Sequence, residues 1–160
     1  MSRTDKSHTF DAETDMKKSP SKVVLVVEDD PDDVELFRFV ARNAKHPLSF
    51  QFVHDGDEAV AYLKGEGRFA NRKEHPLPEL LVLDVKLPKR DGFEVLDWVR
   101  ASAKFKDLEV YVWTGWENPE HSARARELGA KHFVKPVHLE GLAAIVGGMS
   151  RNAGAEAGRQ

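Results

Sequence analysis

Short apolar runs alternate with longer amphipathic segments along most of this chain. The first run, Val23–Val27, is wholly apolar, as in a strand that is buried on both faces of a sheet. Pro31 follows at a position that the first turn of a helix tolerates, and apolar residues then recur at helical spacing until Pro47. Because a short connection joins the two elements, this unit predicts a parallel sheet with helices on both faces.

The unit of strand and helix occurs five times. Later strands are predicted from the apolar runs Phe50–Val53, Leu80–Val85, Val110–Trp113 and His132–Val134. The helices that follow them are predicted after Asp57, over Phe93 to Val99, from near Pro119, and over Leu139 to Met149. Residues 65–78 carry two glycines and two prolines, and they predict an extended surface loop. The sequence therefore indicates a doubly wound α/β fold.

Composition limits the number of domains and the kinds of partner. The 160 residues, 41% of them hydrophobic, suit one domain with one core. Residues 1–20 are polar and predict a flexible leader, residues 21–150 the folded domain, and residues 151–160 a flexible tail. A net charge of -3 without a long run of Lys or Arg argues against binding to nucleic acid or to an anionic membrane.

Two further features of the composition exclude other classes. The sequence has no cysteine, which excludes disulfides, thiolate nucleophiles and cysteine-ligated zinc. No apolar run reaches the roughly 18 residues that span a bilayer, and the N-terminal residues do not have the pattern of a secretory signal. A soluble, cytoplasmic protein is the expectation.

Polar residues follow the predicted strands at four places. Glu28 and Asp29 come after the first strand, Asp84 ends the third, Thr114 follows the fourth and Lys135 follows the fifth. In an open parallel sheet, ligands bind beyond the carboxyl ends of the strands. These side chains are therefore expected to meet at one edge of the sheet, as a carboxylate cluster beside a hydroxyl and an ammonium group.

The carboxylates suit a divalent metal ion. Mg²⁺ prefers oxygen ligands, so Asp29 and Asp84 are the candidate ligands, with Glu28 or Asp30 holding a metal-bound water. An acidic triplet before a proline is also typical of a helix N-terminus, where the helix dipole favours negative charge. Both interpretations of the triplet stay open at the level of the sequence.

The whole group also suits phosphoryl chemistry. A carboxylate such as Asp84 can attack phosphorus to form an acyl phosphate. Lys135 would neutralise the charge of the phosphoryl group, and Thr114 would donate a hydrogen bond to it.

Three classes of function are compatible with these residues. The first is a phosphoacceptor signalling module. The second is a Mg²⁺-dependent aspartyl phosphohydrolase, but hydrolases that resemble haloacid dehalogenases carry a second Asp two residues after the nucleophile, where this chain has Lys86. The third is a docking domain that takes no phosphate, which the ammonium of Lys86 and the bulk of Trp113 and Trp116 beside Thr114 keep open.

Four segments in this order and spacing resemble the receiver domain of two-component response regulators. They are VVEDDPDDVELF, LLVLDVKLPKRDGFEVL, VYVWTG and GAKHFVKPVHLE, and the resemblance covers residues 23–149. It implies a flavodoxin-like fold with five parallel strands in the order 2-1-3-4-5 and helices on both faces. The long segment 65–78 is similar to that of stand-alone receivers associated with phytochrome-type or hybrid histidine kinases.

The resemblance also implies roles for single residues. Asp84 would accept a phosphoryl group from a histidine of a sensor kinase, with Mg²⁺ bound by Asp29, Asp84 and the backbone carbonyl of Lys86, and with Glu28 acting through water. The hydroxyl of Thr114 would move toward the phosphate and Lys135 would form an ion pair with it.

A further implication concerns the output of the domain. An aromatic residue of the fifth strand would change rotamer, which would reshape the surface formed by the fourth helix, the fifth strand and the fifth helix. Counting back from Lys135 gives His132 as this residue, whereas residue type gives Phe133. The Lys135–Pro136 bond is expected to be cis.

The partners implied by the resemblance are proteins. They are a sensor histidine kinase, a downstream protein target or phosphotransfer protein, and a second copy of the chain in a homodimer. Apart from its own phosphorylation and dephosphorylation, the domain would catalyse no reaction.

Overall fold

Five parallel strands form the centre of the molecule. The computed structural model describes residues 22–43, 48–135 and 140–149, so the predicted leader and tail and the Lys135–Pro136 bond lie outside the described residues. The strands are β1 (Lys22–Val27), β2 (Leu48–Val53), β3 (Leu80–Asp84), β4 (Glu109–Thr114) and β5 (Lys131–Val134). They pair in parallel in the order β2-β1-β3-β4-β5, which confirms the predicted sheet.

Helices follow the strands on both sides of this sheet. They are α1 (Pro31–Arg42), α2 (Gly56–Lys64), α3 (Gly92–Ala101), α4 (Pro119–Glu127) and α5 (140–149). Side chains cap the first four, because Asp30, Asp55, Asp91 and Asn118 each accept a hydrogen bond from a backbone N–H of the first turn. None of the described helices has both the length and the apolar character needed to cross a membrane.

Alternate residues of the central strands pack against opposite helix layers. On one face, α1 and α5 cover the sheet, and this cluster includes Val24, Val26, Phe37, Val82, Trp113, Leu142 and Val146. On the other face, α2, α3 and α4 cover it, with Leu25, Tyr62, Leu83, Phe93, Leu96, Val112 and Ala125. Burial on both faces explains why β1 and β3 are almost wholly apolar.

The segment between α2 and β3 lies mostly at the surface, as predicted, but it folds back onto the domain instead of extending. A short 3₁₀ turn at Gly67–Phe69 buries the ring of Phe69. The guanidinium of Arg72 donates hydrogen bonds to the carbonyls of Tyr62, Leu63 and His75 at 2.8, 2.8 and 3.0 Å. These contacts depend on how the segment folds against the end of α2, and glycine and proline content does not reveal them.

The carboxyl ends of four strands lie side by side. Val27 pairs with Leu83, Asp84 with Trp113, and Thr114 with Val134. The backbone pairing continues past β5, because the N–H of Lys135 donates to the carbonyl of Thr114 at 2.7 Å. The sheet therefore places the polar residues that follow β1, β3, β4 and β5 at one edge.

Candidate functional site

Three carboxylates meet at this edge. Glu28 and Asp29 follow β1, Asp84 ends β3, and one carboxylate oxygen from each lies within 4.8 Å of the others. Glu28 is 1% exposed and Asp84 is 5% exposed, whereas Asp29 faces solvent. A cluster of like charges that is buried on one side and open on the other suits a divalent cation with oxygen ligands.

One ammonium group lies among these carboxylates. The Nζ atom of Lys135 is 3.0 Å from a carboxylate oxygen of Glu28, of Asp33 and of Asp84. The single positive charge of Lys135 can balance only one of the three carboxylates that it contacts, and Asp29 adds a fourth carboxylate to the edge. The site thus retains negative charge that a divalent cation could neutralise.

The crowding changes the pKa of Glu28 and of Lys135. Burial, together with the negative charge of Asp84, raises the pKa of Glu28 from 4.5 to about 8, although Lys135 opposes the shift. Burial acts to lower the pKa of Lys135, but Glu28 and Asp84 outweigh it and hold the pKa above its usual range. Lys135 is therefore charged at every physiological pH, whereas Glu28 gains or loses a proton near neutrality.

Asp84 is held at both carboxylate oxygens. Its Oδ1 accepts a hydrogen bond from the backbone N–H of Lys86 at 3.1 Å, and its Oδ2 accepts one from Lys135 at 3.0 Å. The chain after β3 turns sharply, so a Cβ atom at Gly92 would lie 2.3 Å from the backbone oxygen of Asp84. The close approach of α3 to the end of β3 requires glycine there, and it fixes the backbone that carries Asp84.

A cavity of about 170 Å³ opens beside Asp84. Its lining consists of Asp84, Val85, Lys86, Thr114, Gly115, Trp116, His121 and Lys135. The ammonium of Lys86 lies 4.1 Å from the centre of the Trp116 ring, a cation–π contact at the wall of the cavity. The cavity thus leaves open space beside the Asp84 carboxylate, with Lys135 and Thr114 in its wall.

The hydroxyl of Thr114 has another partner in this structure. It donates to the backbone carbonyl of Trp116 at 2.7 Å, and it lies 3.5 Å from Nε2 of His132. Thr114 must therefore give up the Trp116 carbonyl before it can donate to a group on Asp84.

The fifth strand separates the two candidate switch residues. His132 lies on the same side of the sheet as the hydroxyl of Thr114. Phe133 points the other way, where its ring packs 5.0 Å from that of Tyr111 on the α1 and α5 side. Burial lowers the pKa of His132, with the charge of Glu117 acting in the opposite direction, so its ring tends to be neutral.

The structure separates the two interpretations of the acidic triplet. Asp30 caps α1, because its Oδ1 accepts from the N–H of Asp32 at 2.9 Å, and it is not part of the carboxylate cluster. Glu28 and Asp29 form the cluster. One oxygen of Asp30 therefore serves the helix, and which of Glu28 and Asp30 would hold a metal-bound water stays a prediction.

Two residues of the site were not identified from the sequence. Asp33, in the first turn of α1, forms an ion pair with Lys135. The spacing of residues after Asp30 indicates this contact only when the position of Lys135 opposite α1 is already known. His121 of α4 lines the cavity, and its Nδ1 has no hydrogen-bond partner among the described residues. Its position after Pro119 gave no signal, because the distance from α4 to the strand ends depends on the fold.

Comparison with known proteins finds a family and relatives that this chain resembles. A family model described as response regulator receiver domain matches residues 24–147. The response regulator Rcp1 of Synechocystis sp. is 31% identical over 134 residues, which cover 83% of this chain and 89% of Rcp1.

Solved structures of similar proteins share the fold. The phosphorylated cyanobacterial phytochrome response regulator RcpA superposes with a TM-score of 0.73 at 33% identity, over 81% of this chain and 91% of RcpA. The Mn²⁺-bound form of Rcp1 superposes with a TM-score of 0.70 at 31% identity, over 80% of this chain and 91% of the other. The family model, these relatives and the acidic edge agree, and the chain belongs to the response regulator receiver domain family.

Proposed function

We propose that this protein is a stand-alone receiver that accepts a phosphoryl group on Asp84 from a sensor histidine kinase. The observation that carries the proposal is the position of the Asp84 carboxylate, 3.0 Å from Lys135 and in the wall of the cavity that Thr114 also lines. A nucleophile, a cation for the transferred group and a hydrogen-bond donor are thus within one small space.

Mg²⁺ is the metal ion that we propose for the site. Asp29, Asp84 and the backbone carbonyl of Lys86 would hold it directly, and Glu28 would hold it through water. The proximity of the Glu28, Asp29 and Asp84 carboxylates supports this ligand set. When bound, the ion would offset the charge of the carboxylates and of the phosphoryl oxygens.

In the transfer step, an oxygen of Asp84 forms a bond to phosphorus. The bond from phosphorus to the kinase histidine nitrogen breaks, and its electron pair leaves with the imidazole. Lys135 pairs with the negative oxygens of the transferred group. Thr114 exchanges the carbonyl of Trp116 for a phosphoryl oxygen, which draws the loop after β4 toward Asp84.

We further propose His132 as the residue that transmits the change. Its Nε2 lies 3.5 Å from the hydroxyl of Thr114, so movement of that hydroxyl alters the space available to the imidazole ring. The α4, β5 and α5 surface would change as His132 moves, and this surface would bind a downstream protein, a phosphotransfer protein or a second copy of the chain.

The kinase is proposed to be of the phytochrome type or a hybrid kinase, and the protein to act in the cytoplasm. Support for the kinase class comes from the similarity to RcpA, which is described as a phytochrome response regulator, and to Rcp1. Beyond its own phosphorylation and dephosphorylation, the domain would have no catalytic activity.

Incubation with Mg²⁺ and acetyl phosphate, followed by measurement of the intact mass, tests the proposal. We expect a gain of one phosphate that is lost in Asp84→Asn. Steady release of phosphate without an adduct would indicate a phosphohydrolase. Neither adduct nor release, in a folded protein that binds Mg²⁺, would indicate a docking domain and would contradict the proposal.

A further inference from the structure

Lys135 lies between two cavities. On one side is the cavity of about 170 Å³ beside Asp84. On the other is a small cavity of about 10 Å³ between α1 and α5, which is lined by Asp33, Leu36, Trp113, Lys135 and Leu142. Lys135 therefore borders both the space beside Asp84 and the space between α1 and α5.

Asp33 supplies the attraction on the side of α1. Its Oδ2 is 3.0 Å from Nζ of Lys135, the same distance as the oxygens of Glu28 and Asp84. The side chain of Asp33 is 32% exposed, so water reduces the strength of this ion pair without removing it. Its backbone belongs to the capped first turn of α1, with Val34 and Phe37 buried just beyond, so its position is fixed.

Groups on two sides of the Lys135 ammonium influence its ion pair with Asp33. The ring of Trp113 lies 5.7 Å from Nζ on the same side as Asp33, and its buried indole N–H has no hydrogen-bond partner among the described residues. Phosphorylation would replace the single negative charge of the Asp84 carboxylate, on the opposite side, by an acyl phosphate with nearly two. The larger charge at Asp84 would then draw the ammonium of Lys135 away from Asp33.

We propose that Asp33 is a positioning residue for phosphoryl transfer, which shares the ammonium of Lys135 with Glu28 and Asp84 and competes with the incoming phosphoryl group for it. This inference rests on the proposed function, because the competition affects the reaction only if Asp84 accepts phosphate. Removal of the Asp33 charge should let Lys135 engage the phosphodonor more readily.

The chain offers a matched control one residue away. Asp32 lies in the same first turn of α1 and carries the same charge, but it faces solvent and forms no ion pair with Lys135 in the described part of the chain. The Asp32→Asn change therefore removes the same charge from the same helix end. Asp33→Glu keeps the charge and serves as a rescue variant.

The kinetic test measures the concentration of acetyl phosphate that gives half the maximal rate of adduct formation, at saturating Mg²⁺. We expect Asp33→Asn to lower it by about two- to fivefold, the size of one partly exposed ion pair. Asp32→Asn should change it less, and Asp33→Glu should restore the wild-type value. In a Lys135→Met background the effect of Asp33→Asn should fall to that of Asp32→Asn. Equal effects of the two Asn variants, or an effect that persists without Lys135, would overturn the proposal.

A spectroscopic measurement separates this inference from the proposed function. The ¹⁵N signal of the Lys135 ammonium group should shift in Asp33→Asn and stay in place in Asp32→Asn, whether or not the wild-type protein forms an adduct. A wild-type protein that forms no adduct would refute the proposed function, whereas an unmoved Lys135 signal in Asp33→Asn would refute the role of Asp33.

Discussion

The carboxylate edge and the segment between α2 and β3 use polar groups in opposite ways. In the segment, the guanidinium of Arg72 meets three backbone carbonyls, and the hydroxyl of Tyr62 donates to the carbonyl of Pro76 at 2.7 Å. At the edge, one ammonium group serves three carboxylates. Matched partners stabilise the fold, whereas an excess of like charge costs stability and favours binding of a cation or a phosphoryl group.

The distribution of buried polar residues supports this contrast. Within the described ranges, the buried polar or charged residues are Glu28, Asp84 and Thr114, and all three lie at the carboxylate edge. Residues with perturbed proton affinity often cluster at functional sites for the same reason. Substitutions in both regions test this contrast.

The largest change in stability is expected from removing the Arg72 hydrogen bonds in the segment between α2 and β3. Arg72→Ala removes three hydrogen bonds to carbonyls and should lower the free energy of unfolding by about 3 kcal/mol. Urea denaturation measures this change. Lys73→Ala, at the exposed neighbour, should stay within about 0.5 kcal/mol of wild type. A change at Arg72 no larger than that at Lys73 would show that the segment is not held by these bonds.

The second effect is a gain of stability at the carboxylate edge. Because the pKa of Glu28 is raised from 4.5 to about 8, its stabilising contribution is complete below pH 4.5 and is lost as the pH rises toward 8. Without metal, Glu28→Gln should therefore be more stable than wild type at pH 9, on the order of 2 kcal/mol. Thermal unfolding from pH 5 to 9 measures the difference, and a Gln variant that is less stable at pH 9 would contradict the crowding.

The third effect is on metal affinity. A metal-bound water needs an ionised Glu28, so Mg²⁺ should bind more tightly as the pH rises toward about 8, by up to about tenfold per pH unit. Calorimetric titration at several pH values gives the slope. The slope should be absent in Glu28→Gln, and a slope that persists there would assign the proton to another group.

The smallest effect is expected at the wall of the cavity. Lys86→Met removes the cation above Trp116 and should slow phosphorylation by acetyl phosphate about twofold, because a positive charge near the mouth attracts the anionic donor. Added salt should shrink the difference. A rate that is unchanged at low salt would mean that Lys86 is occupied by Trp116 and does not act on the donor.

The sheet was predictable because its central strands are buried on both faces. The run Val23–Val27 shows this pattern in the sequence, and strand limits differ from the prediction by only one or two residues, as at Leu48 and Asp84. The residues at the strand ends followed from the topology, since parallel strands place their carboxyl ends together. Glu28, Asp29, Asp84 and Lys135 lie together as expected.

Contacts between distant elements were not predictable in the same way. Asp33 and Lys135 are 102 residues apart, and their contact depends on the phase of α1 and the length of the lysine side chain. The difference between His132 and Phe133 depends on which face of β5 looks toward Thr114. The closure of the segment before β3 by Arg72 likewise needs the positions of three carbonyls.

If the carboxylate edge accepts phosphate, the modified residue is Asp84, and chemical trapping of the adduct locates it. After incubation with Mg²⁺ and acetyl phosphate, borohydride reduces an acyl phosphate of aspartate to homoserine, which peptide mass mapping can place. We expect homoserine at position 84 alone, and none in protein reduced without the donor. Homoserine at Asp29 or Asp33, or an adduct that resists reduction, would contradict it.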